Sequence, residues 1–265
     1  MSDPHLSRTV LSDQTYTAIR DLVLNHEIAP STRVNIDTLS TRLGVSPTPV
    51  REALARLESD SLVVKTPLRG YSTTPLLTSE QFWDLVQFRI VIEGWTASEA
   101  SRSASPEIIS ELREELATAK TVIGNANSDP MRFQKLVEHD SRFHALIARA
   151  AGNVLVNEAF ERTHFHLHFL RLYLAARGSE PDAHGAETRG ADTTARTTAE
   201  LRNVLDSYHA AQPVTDALAG HTEIVDAISS GEAQHASHLM QDHIKQSAER
   251  FNPIVSLLSS ASHNT

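Results

Sequence analysis

Apolar positions in the first eighty residues fall into short helical stripes followed by short alternating runs. Ile19, Leu22 and Val23 share one face of a helix predicted over 16–24. Leu39 and Leu43 stand four apart on a second helix, and Val50, Leu54 and Leu57 repeat at helical spacing on a third. Gly44 follows the last apolar position of the second helix, where a left-handed residue ends a helix at least steric cost. Ser46 stands where the third helix needs its N-cap, Pro47 falls at the first helical position, and Pro49 is still within the first turn. Two helices meeting across a glycine turn make a helix-turn-helix, whose second helix can lie in the major groove of DNA. Residues 62–65 and 70–73 then read as two short strands around a turn at 66–69, with Pro67 suited to the bend. That hairpin is the wing of a winged helix-turn-helix.

Beyond residue 78 the period changes to that of helices alone. Thr78 or Ser79 can cap the first of them, with Glu80 in its first turn. The pattern predicts helices over 79–103, 106–123, 130–151, 153–177, 196–211, 214–229 and 232–250, punctuated by Ser105-Pro106, Asn127 to Pro130, Gly152-Asn153 and Gly231. Residues 178–195 are poor in apolar side chains and read as a mobile excursion, and the region 178–213 is longer than a bundle requires. The expected fold is therefore mainly α. A flexible stretch at 1–10 leads into a winged helix-turn-helix over 11–75 and a linker at 76–78. An all-helical bundle over 79–252 and a tail at 253–265 follow.

Composition narrows this further. The 265-residue chain has no cysteine, which excludes disulfides and thiolate metal sites. No apolar run approaches the roughly 20 residues that span a bilayer, and the N-terminus lacks the pattern of a signal peptide. A cytoplasmic protein with no membrane partner is expected. The formal charge is −9, yet residues 1–78 hold eight Lys/Arg against eight Asp/Glu, so the acidity belongs to the bundle. A neutral head beside an acidic bundle leaves room for a local DNA-facing stripe, for which Arg42, Arg51, Lys65 and Arg69 are the candidates.

The bundle carries a candidate metal site. Asp140 and His144 are i, i+4 and project from one helix face. Gly231 lies ten residues after His221 and twelve before His243, so two antiparallel helices joined there would bring these histidines nearly level. One carboxylate and three imidazoles suit a divalent transition metal, zinc first, with nickel, manganese or iron as alternatives. Fourteen histidines also make an i, i+4 Asp/His pair common by chance. His164, His166 and His168 form a second group. On one continuous helix His164 and His168 would share a face and His166 would point elsewhere, all three lining a pocket or serving structure. Arg89 lies in an apolar stretch, and a guanidinium there needs an anion: either Glu93 one turn on, or the carboxylate of a bound effector.

The run LGVSPTPVREALARLESDSLV, with Gly70 in the wing, resembles the winged helix-turn-helix of GntR-type bacterial transcription regulators. Three further motifs resemble the FCD branch of that family: Phe88-Arg89 followed by Glu93; Asp140-Ser141-Arg142-Phe143-His144 followed by Ala151-Gly152-Asn153; and His221-Thr222-Glu223-Ile224-Val225-Asp226-Ala227-Ile228 followed by His243. The resemblance implies a ligand-responsive regulator. Its bundle would bind a metal through Asp140, His144, His221 and His243 and a small organic-acid effector through Arg89 and Asn153. Its head would bind double-stranded operator DNA. Thr48 and Arg51 would contact bases or phosphates, Ser46 a phosphate, and Arg69 with Gly70 the minor groove. One short recognition helix contacts few base pairs, so a homodimer is expected. The alternative is a metal-dependent enzyme with an accessory DNA-binding head, although no acid/base or nucleophile motif accompanies the cluster.

Overall fold

The computed structural model describes residues 4–124, 131–178, 203–205 and 211–262. The chain divides into two compact units, Met1–Leu76 and Leu77–Thr265.

The first unit comprises α1 (Pro4–Leu24), β1 (Arg33–Val34), α2 (Ile36–Leu43), α3 (Pro47–Ser59), β2 (Val63–Thr66) and β3 (Gly70–Thr73). α1 starts inside the stretch expected to be flexible, and β1, only two residues long, has no periodic signal in the sequence. The strands form an antiparallel sheet in the order β1-β3-β2, with Arg33 opposite Ser72 and Thr66 opposite Gly70. Asn35 caps α2 by accepting from the Thr38 N–H, and Gly44 ends it at φ 66°. Ser46 is the N-cap of α3, but its hydroxyl makes no capping bond. Pro49 removes one of the two N–H groups that such a cap can use, because the third helical residue has none to donate. Ile19, Val50, Ala53, Leu54, Leu57 and Leu62 are wholly buried and form the core of the head.

A clamp joins α1 to the end of α3. The Tyr16 hydroxyl donates to Asp60 Oδ2 at 2.6 Å, the Arg56 guanidinium sits 4.1 Å from the Tyr16 ring centroid, and Arg56 pairs with Asp13 at 2.6 Å. Burial and then the Asp60 carboxylate push the Tyr16 phenol up to about 12, so it remains a donor.

The second unit is a helical bundle: α4 (Ser79–Ser103), α5 (Pro106–Gly124), α6 (Arg132–Ala150), α7 (Val154–Glu161), α8 (Phe165–Gly178), α9 (Ala211–Ser229) and α10 (Ala233–Ser262). Thr78 and Gln81 form a reciprocal capping box at the start of α4. The single helix expected over 153–177 is instead two, broken where His164 takes φ 43°. α10 runs to Ser262 through Pro253, where a tail was expected. An interior proline costs a helix about 3 kcal/mol. Its neighbours Phe251, Ile254 and Val255 are all wholly buried and offset that loss. Gly94 lets α4 and α10 pack closely, since a Cβ there would lie 2.6 Å from the Gln241 amide. Rings from α6, α8 and α10 fill the interior, with Phe133 against Tyr173 at 3.7 Å and Phe169 against Phe251 at 3.8 Å. The excursion at 178–195 and the helix expected over 196–211 lie almost entirely outside the described residues.

Candidate functional site

Asp140 and His144 on α6, His221 on α9 and His243 on α10 meet inside the bundle, each offering one ligand atom within 4.8 Å of the others. His221 Nε2 lies 3.0 Å from His243 Nε2 and 3.2 Å from Asp140 Oδ1. His144 Nε2 and His243 Nε2 lie 3.7 and 3.9 Å from the same oxygen. Ligands about 2.1 Å from an ion are about 3.0 Å apart at right angles and about 3.4 Å apart at the tetrahedral angle. The separations of His221 from His243 and from Asp140 fall in this range, while those of His144 and His243 from Asp140 are longer, so the four atoms would draw inward around one ion.

The surrounding side chains set which nitrogen of each ring faces the centre. Glu115 Oε1, on α5, is 2.8 Å from His139 Nδ1, and a carboxylate can only accept, so Nδ1 carries the proton. Burial holds the His139 pKa down, leaving the ring neutral with Nε2 as an acceptor. His221 Nδ1 lies 3.0 Å from that Nε2 and therefore donates to it. His221 Nε2 then presents a lone pair toward Asp140 and His243. Burial lowers the His221 pKa to about 4, so this pair is available at neutral pH, and Phe143 stacks on the ring at 4.0 Å. Burial, followed by the neighbouring His221, likewise holds His243 well below its usual value.

Asp140 and His144 are held from other sides. His166 Nε2, on α8, is 3.0 Å from Asp140 Oδ2, which leaves Oδ1 for the cluster. His144 Nδ1 pairs with the Glu93 carboxylate on α4, off the line of a hydrogen bond, and its buried Nε2 has no hydrogen-bond partner among the described residues. An orphaned imidazole nitrogen facing a carboxylate and two further imidazoles matches the donor set of a zinc-type ion. Burial would raise Asp140, but His144, His166 and His221 more than reverse this and keep it ionised.

Arg89 is 2% exposed and grips Glu93 with Nε and Nη2, beneath the Phe165 ring at 4.0 Å. Its anionic partner in the structure is thus Glu93. Asn153 is exposed, and its side-chain oxygen caps α7 by accepting from the Val156 N–H at 3.2 Å. The break at His164 also rearranges the second histidine group: His166, not His164 or His168, reaches the cluster. His139, Glu115 and the bond of Glu93 to His144 have no signal in spacing. His139 merely precedes a candidate ligand, and Glu115 comes from a helix with no motif.

On the first unit, Arg42, Ser46, Thr48, Arg51, Lys65, Arg69 and Gly70 are all exposed. Arg42 is paired with Glu27, and Lys65 Nζ lies 5.6 Å from the Tyr71 ring. The side chains of Arg51 and Arg69 make no ion pair among the described residues, and Thr48 and Arg51 stand one turn apart on the outer face of α3. Among the described residues no helix is long and apolar enough to cross a membrane.

Residues 11–71 match the family described as bacterial regulatory proteins, gntR family, and residues 84–189 match the FCD domain. The chain is 31% identical over 140 residues, 52% of its length and 78% of the relative's, to an uncharacterized HTH-type transcriptional regulator in the TAR-I ttuE-ttuC' intergenic region of Agrobacterium vitis. It is 26% identical over 159 residues, 60% of its length and 69% of the relative's, to the uncharacterized HTH-type transcriptional regulator YdhC of Bacillus subtilis. The fold is similar to that of E. coli McbR/YncC, with a TM-score of 0.58 at 16% identity over 89% of this chain and 94% of that one. The chain belongs to the FCD branch of the GntR family: it is a transcription regulator with a DNA-binding winged helix-turn-helix and an FCD effector domain.

Proposed function

We propose that this regulator binds a divalent transition metal at Asp140, His144, His221 and His243, and that a small organic acid joining this site changes the affinity of a homodimer for its operator. The observation that carries the proposal is the convergence of four donor atoms within 4.8 Å from three helices. Three protein nitrogens and one oxygen leave positions for carboxylate oxygens on an ion that takes five or six ligands, as nickel, manganese and iron do and as zinc does on expanding its sphere. Zinc suits this donor set first, with nickel, manganese or iron as alternatives. Arg89 supports the acid. Glu93 occupies its Nε and Nη2, so Nη1 is the nitrogen left for a second carboxylate.

A homodimer is supported by α4. Phe88, Val91 and Trp95 are 37%, 68% and 41% exposed and lie along one stripe of that helix. A two-fold axis near Val91 would set Phe88 of each copy against Trp95 of the other, as an isologous interface requires. On the DNA side, Thr48 and Arg51 would face the major groove from α3, with Ser46, Arg42 and Lys65 near phosphates and Arg69 with Gly70 at the wing. An effector bound in the bundle would then alter the setting of two heads against fixed half-sites.

Elemental analysis of the purified protein, before and after loading with zinc or nickel, tests the metal. A thermal-shift screen of small carboxylic acids, with and without that metal, tests the effector. Stabilisation by an acid only in the presence of metal is the expected result. A chain that retains no metal after loading refutes the proposal.

A further inference from the structure

The wing tip carries an apolar side chain with no place in the fold of the head. Pro67, Leu68 and Arg69 join β2 to β3, and the Arg69 N–H donates to the Thr66 carbonyl at 3.1 Å. That is a four-residue turn with proline at its second position and Leu68 at its third. The third position has φ 64°, a conformation normally filled by glycine or asparagine. Leucine there is disfavoured twice over. Its Cβ crowds the backbone in the left-handed region, and its side chain is 107% exposed, touching none of the head's core. Gly70, only two residues on at φ 83°, shows that the hairpin does place glycine where a left-handed residue is required. Around the tip stand Lys65 and Arg69, both exposed.

We infer that Leu68 is a minor-groove wedge: the cations of the wing hold the flanking phosphates while the leucine enters the groove and opens a base step. A hairpin tip is narrow enough for a groove about 6 Å wide, and aliphatic side chains inserted there unstack neighbouring bases, most easily at pyrimidine–purine steps. This assigns Leu68 a part in sequence preference without any hydrogen bond to a base. It rests on the DNA-binding role of the head, and the test separates the two.

The test uses the full chain and a duplex recovered by the wild-type protein from a random library, carrying 2-aminopurine at successive steps across the site facing the wing. For Leu68→Gly the expected results are an unchanged or raised melting temperature, operator affinity lower by about tenfold, an unchanged slope of affinity against salt, and loss of the 2-aminopurine brightening. The salt slope should hold because an apolar contact displaces no counterion. Leu68→Met, equally strained but still apolar, should keep most of the affinity and the brightening. Wild-type affinity in Leu68→Gly, or equal losses in the Gly and Met variants, overturns the wedge. If Arg51→Ala weakens binding while Leu68→Gly leaves it intact, the head binds DNA and the wedge alone fails; if the wild type recovers no duplex, the DNA-binding role itself fails.

Discussion

His139 Nε2 lies 3.0 Å from His221 Nδ1, and Glu115, on the far side of His139, decides which atom of that pair holds the proton. Removing the acceptor frees His221 to take the wrong tautomer. His139→Phe and Glu115→Leu should each weaken zinc binding by about 10- to 100-fold, the range typical of residues that orient metal-bound histidines. Glu115→Gln should lose less, since the amide oxygen still accepts from His139. Competition with a chelator of known affinity measures this. Wild-type zinc affinity in both His139→Phe and Glu115→Leu would show that the orienting chain has no bearing on the metal.

Glu93 is shared between Arg89 and His144, and all three are buried. Glu93→Leu strands a guanidinium away from water and should cost about 3–5 kcal/mol. Replacing both partners, Arg89→Met with Glu93→Leu, should cost less, because the buried guanidinium leaves with its carboxylate and only His144 loses a partner. Burial alone would raise the Glu93 pKa, but Arg89 and then His144 outweigh it and hold the carboxyl at about 2. A carboxyl lowered from 4.5 contributes stability that is complete above about pH 4.5 and is lost as the pH falls toward 2. Both tryptophans, Trp83 and Trp95, lie on α4, so their fluorescence follows unfolding of the second unit alone. Urea midpoints should fall across that window more steeply for the wild type than for the double variant. Parallel curves would assign the acid sensitivity to other groups.

Val91 lies at the centre of the exposed α4 stripe, where Val91→Glu would set like charges against each other across a two-fold axis. The variant should sediment as a monomer, with its circular dichroism unchanged, and should bind operator much more weakly because two half-sites no longer act together. A dimer of wild-type stability would move the interface to another surface.

The recognition head and the level placement of His221 and His243 were legible because local rules govern them. A glycine turn, two prolines in the first turn of a helix and the rise per residue of two joined helices need no knowledge of the rest of the fold. The chain behind the cluster was not legible. His139 sits on the same helix as Asp140 but points about 100° away from it, and what it meets there depends on where α5 and α9 pack. Helical periodicity also overran the break at His164, because the apolar pattern continues through it and no glycine or proline marks the turn. At Pro253 the opposite occurred. A local breaker was overruled by the wholly buried Phe251, Ile254 and Val255 around it.

Arg51 and Arg42 should differ on DNA although both are exposed arginines of the helix-turn-helix. Arg42 is already paired with Glu27, and a phosphate must compete with that carboxylate. Arg51 has no ion pair among the described residues and stands one turn from Thr48 on the outer face of α3. Arg51→Ala should therefore weaken operator binding by about 1–3 kcal/mol if it reads a base, with relaxed preference at one position. If it holds a phosphate, binding should weaken on every sequence and the salt slope should fall by about 1. Arg42→Ala should do less in either assay, since Glu27 already holds that guanidinium. Anisotropy titrations of both variants over a range of salt concentrations distinguish these outcomes. An Arg51→Ala protein with wild-type affinity and slope would remove this residue from the interface.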